Sequence, residues 1–374
     1  MIRIDIQHIL VVTLLDNHIH FNPCNGSLMA AAPGTQTQLT RRKFLTIASA
    51  MAAVAGTGYL GINRYLARGY TLKNTRSMMG TIINFTIIGP SKERCYEALR
   101  SAAAHMETTG RAINGYIDDS PLTRLNQQGI LKDSDPTLRK VVIMAKELSK
   151  LTDGAFDPTV LPLVGLYKNV RQGGALPSQE KIDAALSLVG YKNVIIEGTT
   201  IRYAKSGMGM TLDGIGKGYV VDEGIRVLSE MGIESSCIEA GGDLMVTGTK
   251  ASGKPWTIAI QNPRPEKEVE QRYIALHDRA IATSGDYMQA YTADRRYHHI
   301  IHPTTGFSPP ELASCSILAP SVARADGLAT AAMVMGSQRS IDLLNSLPAC
   351  EGFLIGKDLT TYSTKDFFTD NENI

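Results

Sequence analysis

The chain has 374 residues, 43% of them hydrophobic, with 38 basic against 36 acidic side chains and a formal charge of +2. That length holds one large domain or two ordinary ones and buries a sizeable core. The even charge balance gives no basic field for a nucleic-acid backbone, which argues against nucleic acid as a partner. Five cysteines, at 24, 95, 237, 315 and 350, include no close pair, which excludes a zinc knuckle, a CxxC redox site and a small disulfide scaffold.

Residues 1–55 read as a leader. Thr40-Arg41-Arg42-Lys43-Phe44-Leu45, followed by an Ala-rich, weakly apolar run, is the twin-arginine export pattern. The run from Phe44 to Tyr59 is shorter than the roughly 20 apolar residues of a confident membrane span. Ala53-Val54-Ala55 offers a small-x-small cleavage site, and Met29 makes a more usual start, so that 1–28 reads as an over-long beginning. The leader predicts a periplasmic protein. Twin-arginine cargo is normally folded before export, often around a cofactor. Residues 56–75 then read as a linker, 76–360 as a single domain and 361–374 as a tail.

Strands and helices follow in order. Thr81–Ile88 is a β-branched run closed by Gly89-Pro90 and predicts a strand. Tyr96, Leu99, Ala103 and Met106 recur at helical spacing. Asp135-Pro136 opens another helix as N-cap and first-turn proline, with Leu138, Val141, Val142, Ala145 and Leu148 on one face. Gly216-Lys217-Gly218 is expected to lead into a helix from Tyr219 to Met231, stopped by Gly232. Short strand candidates come next at 237–239, 244–246, 257–260 and 316–318, joined by tight Gly or Pro turns. The pattern predicts an α+β fold, one domain with mixed, largely antiparallel sheet and packed helices. There is no repeat at solenoid period, and Arg264-Pro265-Glu266-Lys267-Glu268 reads as a charge-dense linker.

Five short clusters carry candidate chemistry. Gly154-Ala155-Phe156-Asp157-Pro158-Thr159 follows a helix. Leu212-Asp213-Gly214-Ile215-Gly216-Lys217-Gly218-Tyr219 places alternating glycines and one lysine before a helix, either a tight turn or a cradle for an anion. Glu239-Ala240-Gly241-Gly242-Asp243 reads as a turn. Ala282-Thr283-Ser284-Gly285-Asp286 precedes a stretch from His299 to Gly306. There the two intervening isoleucines are expected to put His299 and His302 on opposite faces of a strand, which favours one catalytic or ligand-facing histidine over paired zinc ligation. Asp326 and Thr330, four apart on a helix, suit Mg²⁺, while the alternative is an Asp N-cap with Thr on the same face.

The order of these clusters resembles the ApbE family, the FAD:protein FMN transferases. The matching stretches are Met79-Gly80-Thr81, the run from Tyr116 through Ser120 and Leu122 to Asn126, Gly154 to Thr159, Gly214 to Tyr219, Gly241-Gly242-Asp243, Thr283 to Asp286, His299 to Gly306 and Asp326 to Thr330. The resemblance spans roughly residues 76–360. It implies a Mg²⁺-dependent enzyme that splits FAD, moves FMN onto a Ser or Thr hydroxyl of a target protein and releases AMP. It further implies Asp326, Thr330 and the backbone carbonyl of Gly214 as metal ligands. Met79, Tyr116, Ala155, Phe156, Asp157, Lys217 and Thr305 match positions lining the FAD site, and His299 opens the family's His-x-x-Asp-Pro motif. His302 stands where the family usually has Asp, and Thr211 and Asp213 fill positions usually read Asp and Gly.

His299 is the candidate base for the acceptor hydroxyl, because imidazole ordinarily titrates near neutral pH. Water in place of the hydroxyl would make the protein an FAD pyrophosphatase, and a non-enzymatic alternative is a periplasmic FAD-binding protein. Family acceptors are typically membrane-bound electron-transfer subunits with a short Ser/Thr motif. The leader is similar to that of members serving nitrous-oxide respiration.

Overall fold

The computed structural model describes residues 69–267 and 271–369. The twin-arginine segment, its cleavage site and most of the expected linker lie outside the described residues.

An eight-stranded sheet forms the frame. Strands β1 (Tyr70–Met78) and β2 (Thr81–Gly89) make a hairpin at one edge. The sheet continues through β6 (Ser235–Ala240), β7 (Asp243–Thr247), β10 (Arg279–Gly285), β11 (Leu312–Ala319), β12 (Glu351–Gly356) and β13 (Thr361–Ser363), in that order. Each of these pairings is antiparallel, so the α+β expectation holds. A three-stranded sheet joins β3 (Ile130–Leu131), β4 (Val194–Glu197) and β5 (Thr200–Tyr203), and β8 (Trp256–Ile260) pairs with β9 (Arg272–Leu276).

Helices cover the frame where their apolar stripes dictate. α1 (Lys92–Ile113) starts at Ser91, whose hydroxyl accepts from Arg94 N, and buries Leu99, Ala103 and Met106. α2 (Pro121–Gln128) is capped by Ser120, and α3 (Pro136–Leu151) by Asp135 with Pro in the first turn. Short helices α4 (Leu161–Leu166) and α5 (Gln179–Leu186) form a satellite core with Tyr167 and Ile301. α6 (Asp213–Glu230) packs between α1 and α7 (Val322–Met335), and α8 (Ser337–Ser346) follows directly. α7 lies on β10 and β11 and is buried along most of its length, Ala325, Leu328, Ala329 and Ala332 included. Asp222 of α6 accepts from Val322 N (2.7 Å) and Ala323 N (2.9 Å), so one helix caps the first turn of the next. That joint sets where α7 can present Asp326 and Thr330.

Four local expectations change. The Gly216-Lys217-Gly218 run lies inside the first turns of α6, because the helix begins at Asp213 and its first amides close back on Leu212 O. β1 starts at Tyr70, within the expected linker, because pairing with β2 extends from Tyr70 to Met78. β13 extends the sheet, and the buried Phe367 the core, past residue 360. Arg264 does not belong to a solvated linker, since it is buried on Asp286.

Candidate active site

The site forms where the N-terminus of α6 meets the middle of α7 and the end of the β6–β7 hairpin. Asn126, in the motif that begins at Tyr116, holds the approach to α6: its Nδ2 donates to Met210 O at 2.8 Å and its Oδ1 accepts from Met210 N at 2.9 Å. Three residues later the helix opens without a side-chain cap, leaving the positive end of its dipole to whatever lies beyond.

Asp326 is 3% exposed, and its Oδ2 accepts from Gly218 N at 3.2 Å. It is not an N-cap, because Ser321 fills that position in α7. Thr330 stands one turn on. A Cβ at Gly214 would meet Thr330 Oγ1 at 3.0 Å and Phe156 Cε2 at 3.2 Å, so the bare glycine is what lets α6 approach α7 this closely. Gly214 O faces Gly327 in the adjoining turn of α7, and Ser284 Oγ lies 3.4 Å from Thr330 Oγ1.

Asp243 completes the group. Gly241 and Gly242 turn the hairpin with φ of 61° and 102°, a left-handed pair that suits glycine and fits the right-handed twist of the flanking strands. Glu239 braces that turn, accepting from Gly242 N (2.7 Å) and from Asn84 Nδ2 (2.6 Å). Lys217 Nζ reaches between the two helices, 2.7 Å from Asp243 Oδ2 and 3.6 Å from Asp326 Oδ2. Burial alone would push the lysine ammonium down, but the two carboxylates more than offset it and hold it above its ordinary value. Burial raises Asp326, with Lys217 opposing and Asp243 adding to the rise.

These donors fit a hard divalent cation. A buried carboxylate, two hydroxyls and a backbone carbonyl are all oxygen, the chemistry Mg²⁺ prefers when it keeps several waters. No cluster of three or more His, Cys, Asp or Glu suited to a metal exists among the described residues, which argues against a zinc-type cage.

The remaining candidates fall around this centre or apart from it. Tyr116 is 80% exposed, with its hydroxyl donating to Asp213 Oδ2 at 2.8 Å. Ala155 and Phe156 are buried, and Phe156 N donates to Thr152 Oγ1. Both oxygens of Asp157 are committed locally, to Thr159 N and Oγ1 and to Tyr191 N, so this carboxylate shapes the Phe156 loop. Met79 sits at the β1–β2 turn with φ of 54°, against Gly110 of α1. Thr305 is exposed and accepts from Phe307 N at 3.4 Å.

His299 and His302 are not on a strand. The segment after Asp286 is a series of turns up to β11, with one isolated bridge from Ala290 to His298, because bonds such as His299 N to Gln289 O and His302 N to Phe307 O close locally. His302 Nδ1 accepts from Thr304 N within its own turn. Burial lowers His299 to about 4, with the neighbouring His298 and Lys217 adding to the fall. The expected titration near neutrality is therefore displaced: the imidazole is neutral at pH 7, and its Nδ1 is buried without a hydrogen-bond partner.

Sequence reasoning treated Asp243 as part of a turn and passed over Ser284. The signal for Asp243 was a carboxylate directly after a double-glycine turn, and pairing of β7 with β6 brings it to Lys217. Ser284 had only its place in the Thr283–Asp286 stretch.

Fold and site together define an α+β protein whose oxygen donors and lysine gather at an uncapped helix N-terminus. The chain belongs to the ApbE family, whose model matches residues 79–354. It is 37% identical over 243 residues to the FAD:protein FMN transferase of Vibrio cholerae, covering 63% of this chain and 72% of that protein. It is 30% identical over 277 residues to the Salmonella typhimurium FAD:protein FMN transferase, covering 71% of this chain and 79% of that protein. Among solved structures, the flavin transferase ApbE from Vibrio cholerae superimposes with a TM-score of 0.72 at 32% identity, covering 80% of this chain and 98% of its own. The ApbE protein from Thermotoga maritima gives 0.72 at 27% identity, covering 80% and 99%.

Proposed function

We propose that this protein is an FAD:protein FMN transferase that moves FMN from FAD to a Ser or Thr hydroxyl of a target protein in a Mg²⁺-dependent reaction, releasing AMP. The observation that carries the reading is the oxygen-and-ammonium cluster of Asp326, Thr330, Asp243 and Lys217 at the α6 N-terminus, in a chain of the ApbE family. In the reaction the acceptor oxygen bonds to the FMN-side phosphorus, the bond from that phosphorus to the bridging oxygen breaks, and AMP leaves with that oxygen. When bound to Asp326, Thr330 and Gly214 O, Mg²⁺ would supply charge neutralisation for the pyrophosphate.

The chain's own residues do the rest. The α6 N-terminus and Lys217 draw the anionic pyrophosphate to one place. Phe156 and Ala155 give an apolar wall, and Tyr116 an exposed ring, to the aromatic parts of FAD. His299, neutral at pH 7, takes the acceptor proton at a ring nitrogen. Holding the hydroxyl in line with phosphorus is the larger part of the work.

The test is incubation with FAD, Mg²⁺ and a Ser/Thr-containing acceptor. Covalent protein-bound FMN is the expected result. Free FMN and AMP alone would make the protein a pyrophosphatase, and unchanged bound FAD would make it a flavin carrier. We place the protein in the periplasm, exported by the twin-arginine route, with a membrane-bound electron-transfer subunit as acceptor, of the kind found in nitrous-oxide respiration. Replacing Arg41 and Arg42 together by lysine should leave it in the cytoplasm, and unchanged periplasmic accumulation would overturn that route.

A further inference from the structure

Two buried carboxylates share a single ammonium in the centre described above. With Lys217 as the ammonium and both Asp243 and Asp326 ionised, the state in which they can hold a cation, the group is one positive charge short of neutral. The two carboxylates hold the lysine unequally: Asp243 Oδ2 is at 2.7 Å, Asp326 Oδ2 at 3.6 Å. Asp243 is 1% exposed, and its two oxygens have different tasks. Oδ1 accepts from Thr283 N of β10 at 3.3 Å, which fixes the carboxylate against the sheet. Oδ2 is buried with no hydrogen bond of ordinary geometry and has only the charge contact with Lys217. A buried carboxylate oxygen left this way is costly unless a cation compensates it.

The backbone around Asp243 is built to keep it there. β6 and β7 are joined by a turn whose Gly241 leaves no room for a side chain, since a Cβ would meet Thr81 Oγ1 at 2.8 Å. Glu239 ties the turn to Asn84 of β2, so the hairpin end is anchored from two strands. Asp326 is mounted on a different element, α7, and accepts from Gly218 N of α6. Lys217, on α6, thus chooses between carboxylates mounted on two rigid supports.

We propose that Asp243 is a positioning residue: by holding the ammonium of Lys217 it keeps that charge from closing on Asp326, leaving the Asp326 carboxylate able to take a divalent cation. Without Asp243, Lys217 turns to its second carboxylate, 3.6 Å away, and competes with the cation for it. This inference rests on the Mg²⁺ reading given above.

The experiment measures Mg²⁺ binding by calorimetry on the FAD-free, full-length folded protein, with melting temperature as a check on folding. Asp243→Asn should weaken Mg²⁺ binding by about 10–100-fold, the range found for residues that orient metal ligands. Lys217→Met should bind Mg²⁺ at least as tightly as wild type, because the competitor is gone. The double variant Asp243→Asn/Lys217→Met should recover most of the affinity that Asp243→Asn loses, which a merely structural role for Asp243 would not allow. Equal Mg²⁺ affinity in wild type and Asp243→Asn would overturn the proposal while leaving the metal reading intact. So would a double variant as weak as the single one. If Asp243→Asn does not fold, weaker Mg²⁺ binding by Lys217→Met than by wild type would overturn it instead. No Mg²⁺ binding by wild type would overturn the metal reading and this inference together.

Discussion

Two buried acid–base clusters stand in the same fold, and they are satisfied to different degrees. Asp286 is 0% exposed and meets Arg264 in a two-pronged pair, Nη1 to Oδ1 at 2.8 Å and Nη2 to Oδ2 at 2.7 Å, with Lys357 at 3.8 Å. Asp326 has one backbone amide and a shared lysine at 3.6 Å, while Asp243 Oδ2 has only that same lysine, at 2.7 Å. A fork matched to a carboxylate fills its lone pairs and leaves nothing for a ligand. A lysine divided between two carboxylates does not. The difference separates a fastener from a receptor: the first pins the long turn segment after β10, and the second is short of positive charge where a substrate phosphate could arrive with a cation.

The largest effect that would break this contrast comes from Asp326→Ala. Transfer of FMN should fall below detection, because the only carboxylate among the proposed metal ligands is removed. Thr330→Ala should cost less, since a hydroxyl supplies no net charge. Full Mg²⁺-dependent activity in Asp326→Ala, measured by acceptor flavinylation, would remove it from the metal site.

Next in size is His299→Ala, which sharpens the contrast by asking what the turn segment delivers once it is pinned. Losing a base should slow transfer by about 10²–10⁴-fold while FAD affinity and melting temperature stay near wild type. A base must be unprotonated, and burial lowers His299 to about 4. The wild-type rate should therefore hold from neutrality downward and fall as pH drops through about 4. An inflection near 6.5 would show that the site is wetter than this geometry. Asp286 is no substitute base, since Arg264 holds both of its oxygens.

Asp286→Ala should act on stability. It leaves the Arg264 guanidinium buried without its partner, a loss of about 3–5 kcal/mol, read as a lower urea midpoint with an unchanged slope. If Asp286→Ala melts normally but loses activity, the fastener assignment is wrong.

Much of this was readable from residues alone. The β-branched run at Thr81–Ile88 and the Leu138–Leu148 stripe became β2 and α3 because side-chain period and capping residues are local signals. Asp326 and Thr330 share a face of α7 for the same reason. What was not readable depends on contacts far apart in sequence. Arg264 reads as a linker residue until β10 brings Asp286 to it, 22 positions away. The shift of His299 comes first from burial, then from the adjacent His298 and from Lys217, and spacing reveals neither the burial nor the approach of Lys217. His302, expected opposite His299 across a strand, lies in a turn because Pro303 and Gly306 interrupt any ladder there.

The smallest expected effect, and the finest test of where the receptor ends, is Tyr116→Phe. The tyrosine is mostly exposed, and its ring is not part of any packed core. Its hydroxyl donates to Asp213 Oδ2 at 2.8 Å, on the residue that opens α6. Removing only the oxygen keeps the ring available to stack on a flavin or an adenine and releases one solvent-accessible hydrogen bond. Such a bond is worth about 1 kcal/mol, so FAD affinity should weaken by no more than about 2–10-fold. Tyr116→Ala removes the ring as well and should cost more, the stacking surface being larger than one exposed hydroxyl contact. If Phe and Ala weaken FAD equally, the hydroxyl to Asp213 is what counts, and Tyr116 works by orienting the start of α6. If Phe is silent and Ala is not, the ring is the contact and the receptor extends outward from Lys217 to this exposed edge.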